Sequence, residues 1–278
     1  TVLDSLNHLQ YYKDTEWKEC APETVSDFSA IAYYFGKMLR DSLKVPVGLI
    51  CNAVGGSPTE AWIDRTSLEY HFPAILKDWT QNDFIQEWVR GRAALNIKKS
   101  VNNRQRHPYE PCYLYESGIR PLEQYPIRGI IWYQGESNIS NYQFYAPMMT
   151  AMVQLWRNVW EAPDMPFYYV QIAPYKYENS SNTGAALLRE AQMEALKTIP
   201  NSGMIPTTDI GDEFCIHPSP KDVVGLRLAT LALTKTYSIG RLPSNGPMMT
   251  KVDYEGNKAI VTFNNAPAGL FPLSLIHI

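Results

Sequence analysis

Gln134, Glu136, Ser137 and Asn138 are the residues of this chain whose types and spacing best suit chemistry. They follow Gly129-Ile130-Ile131-Trp132-Tyr133, an apolar run of β-branched and aromatic residues that ends abruptly in small and polar ones. A run of that kind reads as a strand buried on both faces, as in a parallel sheet. Polar groups at such a strand's carboxyl end stand where open α/β sheets hold ligands. Amides, a carboxylate and a hydroxyl there can grip a small molecule by hydrogen bonds. The plainer alternative is a capped turn, with Ser137 or Asn138 opening the next helix and Glu136 bonded locally. Both readings are kept: Glu136 and Asn138 lean towards structure, Gln134 towards function.

Two further polar loops follow strand-like runs. Residues 45–51 open into Asn52-Ala53-Val54-Gly55-Gly56-Ser57-Pro58-Thr59-Glu60-Ala61-Trp62, and residues 204–208 open into a loop ending in His217-Pro218. A glycine pair is often only a tight turn, and an isolated histidine before a helix is more often bonded in place than reactive.

The elements that must position these loops alternate. Phe28, Ile31, Phe35, Met38 and Leu39 recur at helical spacing, which predicts a helix over 27–43 capped by Ser26. Further helices are expected over 142–160, over 187–199 and from Ser219 or Pro220 through Leu233, with strands at 129–133, 167–173 and 204–208. The row of methionines in 142–160 reads as core. Residues 63–125 are less regular and read as an insertion forming part of a pocket wall, with Trp79, Phe84, Trp88 and Val89 marking a helix. Strands alternating with helices predict an α/β three-layer sandwich with one parallel sheet and right-handed crossovers. After Tyr237 the pattern changes to a β-hairpin, 251–254 with 259–263. One hairpin is marginal alone. Residues 1–240 are therefore expected to form the α/β domain, and 241–272 the start of a β-rich domain. Residues 273–278 resemble the translation of a sequencing-library adapter, so His277 is given no role.

Composition narrows the classes of function. The 278 residues are 45% hydrophobic and 19% charged, ample for a core and low for a disordered chain. A formal net charge of −3 offers no basic field for nucleic acid. No apolar run approaches the ~20 residues that span a bilayer. Four scattered cysteines, Cys20, Cys51, Cys112 and Cys215, argue against a zinc site or disulfide scaffold and for mostly free, buried thiols. No metal or cofactor is expected. The absence of an initiator Met and of a signal peptide at Thr1 says nothing about the compartment.

Three blocks resemble the SGNH (GDSL-like) hydrolase superfamily, and specifically its sialate O-acetylesterase family of carbohydrate esterases. Residues 47–50 leading to Gly55-Gly56-Ser57-Pro58-Thr59-Glu60-Ala61-Trp62 resemble the second block. Trp132-Tyr133-Gln134-Gly135-Glu136-Ser137-Asn138 resembles the W-Y-Q-G-E-[SA]-N block, the most specific motif in the chain. Ile216-His217-Pro218, followed by Lys221, Val224, Gly225 and Arg227-Leu228-Ala229, resembles the last block. The resemblance implies hydrolysis of acetyl groups on O-acetylated carbohydrates, in a secreted or periplasmic setting. A Ser oxygen attacks the acetyl carbonyl, His217 relays the proton, and Gln134 with Gly56 or Gly55 holds the oxyanion.

Two departures qualify it. The family's nucleophile lies in an N-terminal G-Q-S-N-like block, and none is present. Asp4-Ser5-Leu6-Asn7 imitates it without the glycine or a preceding strand, so Ser5 reads as a decoy and the chain as a fragment lacking its first strand. Where relatives read D-I-H-P, Cys215 replaces the Asp, leaving Asp212 as the nearest acid for His217, or a backbone carbonyl in its place. A Rossmann-type dinucleotide site needs G-x-G-x-x-G, which Gly55-Gly56-Ser57-Pro58 does not supply. A non-catalytic carbohydrate-binding or structural module is the remaining alternative.

Overall fold

A computed structural model describes residues 2–177, 183–240, 246–266 and 269–270. Residues 273–278 and the stretch 241–245 lie outside the described residues. The helices are α1 (Leu3–Asn7), α2 (Pro22–Val25), α3 (Ala30–Leu43), α4 (Arg65–His71), α5 (Glu87–Ile97), α6 (Tyr145–Val159), α7 (Gly184–Thr198) and α8 (Lys221–Lys235). The strands are β1 (Ile130–Trp132), β2 (Phe167–Val170), β3 (Ser202–Ile205), β4 (Met248–Glu255) and β5 (Lys258–Asn264).

β1, β2 and β3 form one parallel sheet in that order, with Ile131 opposite Tyr168 and Tyr169 opposite Met204. α6 and α7 supply the crossovers and share a core with one face of the sheet, where Met148, Met149, Met152 and Trp156 are buried beside Trp132 and Phe167. α3 and α8 cover the other face through Leu39, Val224, Leu228 and Leu231. Three layers result, as alternating elements require.

Several expectations need correcting. Residues 129–133 are not the doubly covered centre: β1 is an edge strand with Ile130 and Ile131 only partly buried, and the fully buried central strand is β2. Residues 45–51 join no sheet, and Val45 and Ile50 stand 50% and 43% exposed. A strand needs a partner for its backbone groups, and among the described residues no backbone pairing engages this stretch. The last strand begins two residues earlier than expected, at Ser202. α3 starts at Ala30, because Ser29 rather than Ser26 caps it by accepting the Ala32 N–H at 3.3 Å. In the 63–125 stretch only Trp88 and Val89 of the four marker residues lie on α5. The cysteines are free, but only Cys112 is buried. The hairpin is present as β4 and β5, antiparallel, with every residue of β5 exposed. Among the described residues no helix is long and apolar enough to cross a membrane.

Close approach of α3 and α8 rests on Gly225, where an added Cβ would lie 2.7 Å from the Ile31 carbonyl oxygen and 2.7 Å from Tyr34 Cβ. Alanine favours a helix over glycine by about 1 kcal/mol, but overpacking costs about 1–3 kcal/mol, and a backbone oxygen cannot swing aside. Gly225→Ala is expected to lower the urea midpoint. Gly91→Ala on α5, where a Cβ meets nothing within 4 Å, is expected to raise it. Equal shifts in the two variants would show that helix packing at Gly225 is not tight.

Candidate active site

The loops after residues 51 and β1 are locked together by buried side-chain hydrogen bonds. Asn138 stands at the centre, fully buried. Its Oδ1 accepts the Thr59 N–H at 3.0 Å, and its Nδ2 donates to Glu60 Oε2 at 2.9 Å. The backbone donor on one side and the carboxylate on the other settle which end of the amide is oxygen. Gln134 Nε2 then donates to Asn138 Oδ1 at 2.7 Å and to the Ser57 carbonyl at 3.1 Å. Gln134 Oε1 lies 2.8 Å from the Thr59 hydroxyl and accepts from Tyr145 at 3.2 Å. Tyr145, on the first turn of α6, also donates to the Gln134 carbonyl at 2.9 Å.

Gly55 and Gly56 are clipped to the same assembly. Ser137 Oγ donates to the Gly56 carbonyl at 2.9 Å and the Tyr109 hydroxyl to the Gly55 carbonyl at 2.8 Å. Gly56 has φ +76°, and a Cβ there would lie 2.5 Å from the Tyr109 hydroxyl and 2.8 Å from the Trp88 ring. Only glycine fits that turn. Trp88 and Tyr109 place the 63–125 stretch against it.

The third loop is built differently. His217 and Cys215 are exposed, and Cys215 Sγ donates to the His217 carbonyl at 3.2 Å. Asp212 is engaged in its own turn: Oδ1 accepts the N–H groups of Phe214 at 2.8 Å and Cys215 at 3.1 Å. Among the described residues it forms no ion pair with His217, so this geometry does not show the acid–base couple expected of the two. Glu136 accepts its own N–H and that of Gly135. Burial raises the Glu136 pKa, while the charges of His217 and Lys221 pull it back down. Burial lowers Lys221, whose ammonium lies 5.9 Å from the Tyr133 ring centre. These contacts bring the start of α8 to the end of β1, where Glu136 sits.

Both Nε2 protons of Gln134 are engaged, so as an oxyanion donor it would first have to release Ser57. The Gly55 and Gly56 N–H groups donate to no backbone acceptor among the described residues. No Ser or Thr hydroxyl among those residues is hydrogen-bonded to the His217 ring. Ser5 lies on α1, which Gln105 ties down through the Leu3 carbonyl and Asn7. No group of three or more His, Cys, Asp or Glu among the described residues could hold a metal ion. Sequence reasoning did not single out Thr59, Glu60 or Tyr145 as site residues. Thr59 and Glu60 stood inside a recognised block, but a buried polar role leaves no periodic signal.

A family model described as carbohydrate esterase, sialic acid-specific acetylesterase, matches residues 7–234. The sialate O-acetylesterase of Rattus norvegicus is 29% identical over 251 residues, covering 81% of this chain and 46% of its own length. That of Homo sapiens is 27% identical over 271 residues, covering 89% and 48%. Among solved structures, a carbohydrate acetylesterase from Xanthomonas citri aligns with a TM-score of 0.72 at 31% identity, covering 90% of this chain and 51% of that one. The chain thus spans about half the length of the relatives it matches.

Glu60 makes the buried clamp sensitive to pH. Burial pushes its carboxyl from 4.5 up to about 7, against the bond from Asn138, and Oε1 has no partner. The native state therefore keeps a proton that the unfolded chain loses above 4.5. Stability is fullest below that value, falls as pH rises towards 7, and levels off beyond it, by about 3 kcal/mol over the window. Urea unfolding from pH 4.5 to 8 is expected to show this decline, and Glu60→Gln to flatten it. An unchanged slope in the variant would assign the decline to other groups.

Proposed function

Because the chain belongs to the sialic acid-specific acetylesterase family of carbohydrate esterases, we propose that it forms the core of an esterase that removes O-acetyl groups from sugars. The observation that carries this reading is the clamp, which fixes the Gly55–Gly56 turn against the Gln134–Asn138 loop, beside Glu136, whose pKa the charge of His217 lowers. In the proposed reaction a Ser hydroxyl attacks the acetyl carbonyl as His217 takes its proton. The Gly56 N–H, held aimed by Tyr109, Trp88 and Ser137, stabilises the oxyanion. His217 then returns the proton to the departing sugar alkoxide, and water discharges the acetyl-enzyme by the same route. One such backbone donor is worth about 3 kcal/mol at the transition state. Gln134 serves this scheme chiefly by holding Ser57, and with it the turn. The serine is proposed to come from a block outside these residues, Ser5 being a decoy.

Purified as it stands, the chain is expected to hydrolyse p-nitrophenyl acetate no faster than its His217→Ala variant. Joined to the coding sequence upstream of Thr1, it should gain activity that falls about 10⁶-fold without the histidine or the new serine. An inactive joined protein that still binds acetylated sugars would favour the binding-module alternative. Activity of the bare chain that depends on Ser5 would refute the decoy assignment.

A further inference from the structure

A cavity of about 320 Å³ opens beside the Gly55–Gly56 turn. Gly55 forms part of its wall, and a Cβ added there would meet nothing within 4 Å. The Gly55 N–H donates to no backbone acceptor among the described residues. Leu3 and Leu6 of α1 and Ile97 at the end of α5 give the cavity apolar surface. Asn96, His107 and Tyr109 bring polar groups to it. Neither His217 nor any residue of the Gln134–Asn138 loop lines it. The cavity therefore adjoins the candidate site through the glycine turn and stands apart from its histidine end.

His107 decides which atoms the wall presents. It is only 3% exposed, and burial pushes its pKa down to about 4, so the ring is neutral near pH 7. Its Nδ1 accepts the Tyr109 N–H at 3.0 Å and so carries no proton. The proton of the neutral ring then sits on Nε2, 3.0 Å from the Asn96 side-chain amide. A protonated nitrogen needs an acceptor opposite it. Asn96 therefore turns Oδ1 to His107 and keeps both Nδ2 protons for the cavity. Tyr109, held by its backbone to His107, donates its hydroxyl to the Gly55 carbonyl at 2.8 Å. One bonded chain thus runs from Asn96 to the turn.

The lining also selects a class of ligand. It contains no Asp, Glu, Lys or Arg, and its histidine is neutral. A charged ligand would lose hydration there and meet no opposite charge. Arg92 lies outside the lining, although its charge reaches the Tyr109 hydroxyl. Leucine and isoleucine surface suits C–H groups, while Asn96, the Tyr11 hydroxyl and the Gly55 N–H suit hydroxyl oxygens. The volume stands at the small end of the range of about 300–1,000 Å³ for ligand pockets, which fits a single ring. We infer that the cavity is a subsite for one neutral, hydroxylated sugar ring, the unit next to the one whose acetyl group is removed. The substrate is then an oligosaccharide rather than a lone acetylated sugar. That adjoining position rests on the esterase reading above; the ring-binding cavity does not.

NMR titration of the isotope-labelled chain tests the subsite without any need for catalysis. Methyl galactoside or methyl glucoside is expected to shift the Gly55 N–H, the Asn96 side-chain amide and the His107 ring saturably, and to leave His217 unmoved. Methyl glucuronide, which is charged, and cyclohexanol, which has one hydroxyl, should each bind more weakly by about 10-fold or more. Asn96→Ala should weaken binding of the neutral glycosides about 10-fold, the worth of one hydrogen-bonding group. Leu3→Trp, filling the cavity from α1, should abolish binding, with circular dichroism showing that the variant is folded. In the free chain, the ring nitrogen shifts of His107 should report a proton on Nε2. A proton on Nδ1, undiminished binding by either folded variant, or no saturable shift with either neutral glycoside would overturn the subsite. Tighter binding of the glucuronide would overturn its neutral class. Ring binding here with an inactive joined protein would uphold the subsite and refute the esterase reading; an active joined protein that binds no ring here would do the reverse.

Discussion

The clamp centred on Asn138 is the interaction on which the candidate site depends. Two loops that are far apart in sequence have no covalent reason to meet. They are held because Asn138, Thr59, Gln134 and Glu60 bury their polar groups against one another. Opening the contact inside the protein would leave donors and acceptors unpaired, at about 1–3 kcal/mol for each. A network of this kind is therefore satisfied as a whole or strongly disfavoured. It has one flaw, the unpartnered Oε1 of Glu60, and that flaw ties its strength to pH. The helical layers take part as well: Tyr145 of α6 reaches the Gln134 carbonyl, and Gln192 of α7 donates to the same atom at 3.2 Å.

The histidine side of the site is organised by charge rather than by a bonded network. His217 lies in an exposed loop whose own hydrogen bonds, from Phe214 and Cys215 to Asp212, shape the turn and not the ring. Its link to the rest of the site is electrostatic, through Glu136. Burial would favour a neutral Glu136, while His217 and Lys221 favour its charge. The two halves thus differ in burial: a buried amide lattice holds the glycine turn, and His217 stands on a solvent-facing loop.

The sheet explains why apolar residues stand exposed in a chain with a well-filled interior. β2 is covered on both faces and paired on both edges, whereas β1 is paired on one edge only. Residues 45–51 have the composition of a buried strand and the exposure of a loop. Composition and environment disagree there, and a cavity of about 630 Å³ separates that stretch from β1.

The α/β class and the alternation of strands and helices from β1 to α8 were legible in the chain itself. Helical and strand periodicities are local properties, and Trp132 to Asn138 carries its family resemblance in seven consecutive positions. The helices shifted by only a few residues, as with Ser29 in place of Ser26, because neighbouring serines compete for one cap. What the chain alone left open was everything set by non-local pairing. Whether β1 was centre or edge depended on what lies beside it, not on its own apolar run. Whether the Gln134 amide was free depended on Ser57 and Asn138, and whether Asp212 met His217 depended on two N–H groups nearer to it. Glu60 read as one more residue of a block until burial removed the water around its carboxylate. Hydrogen-bond partners and burial belong to pairs and surroundings, and these exist only once the chain has folded.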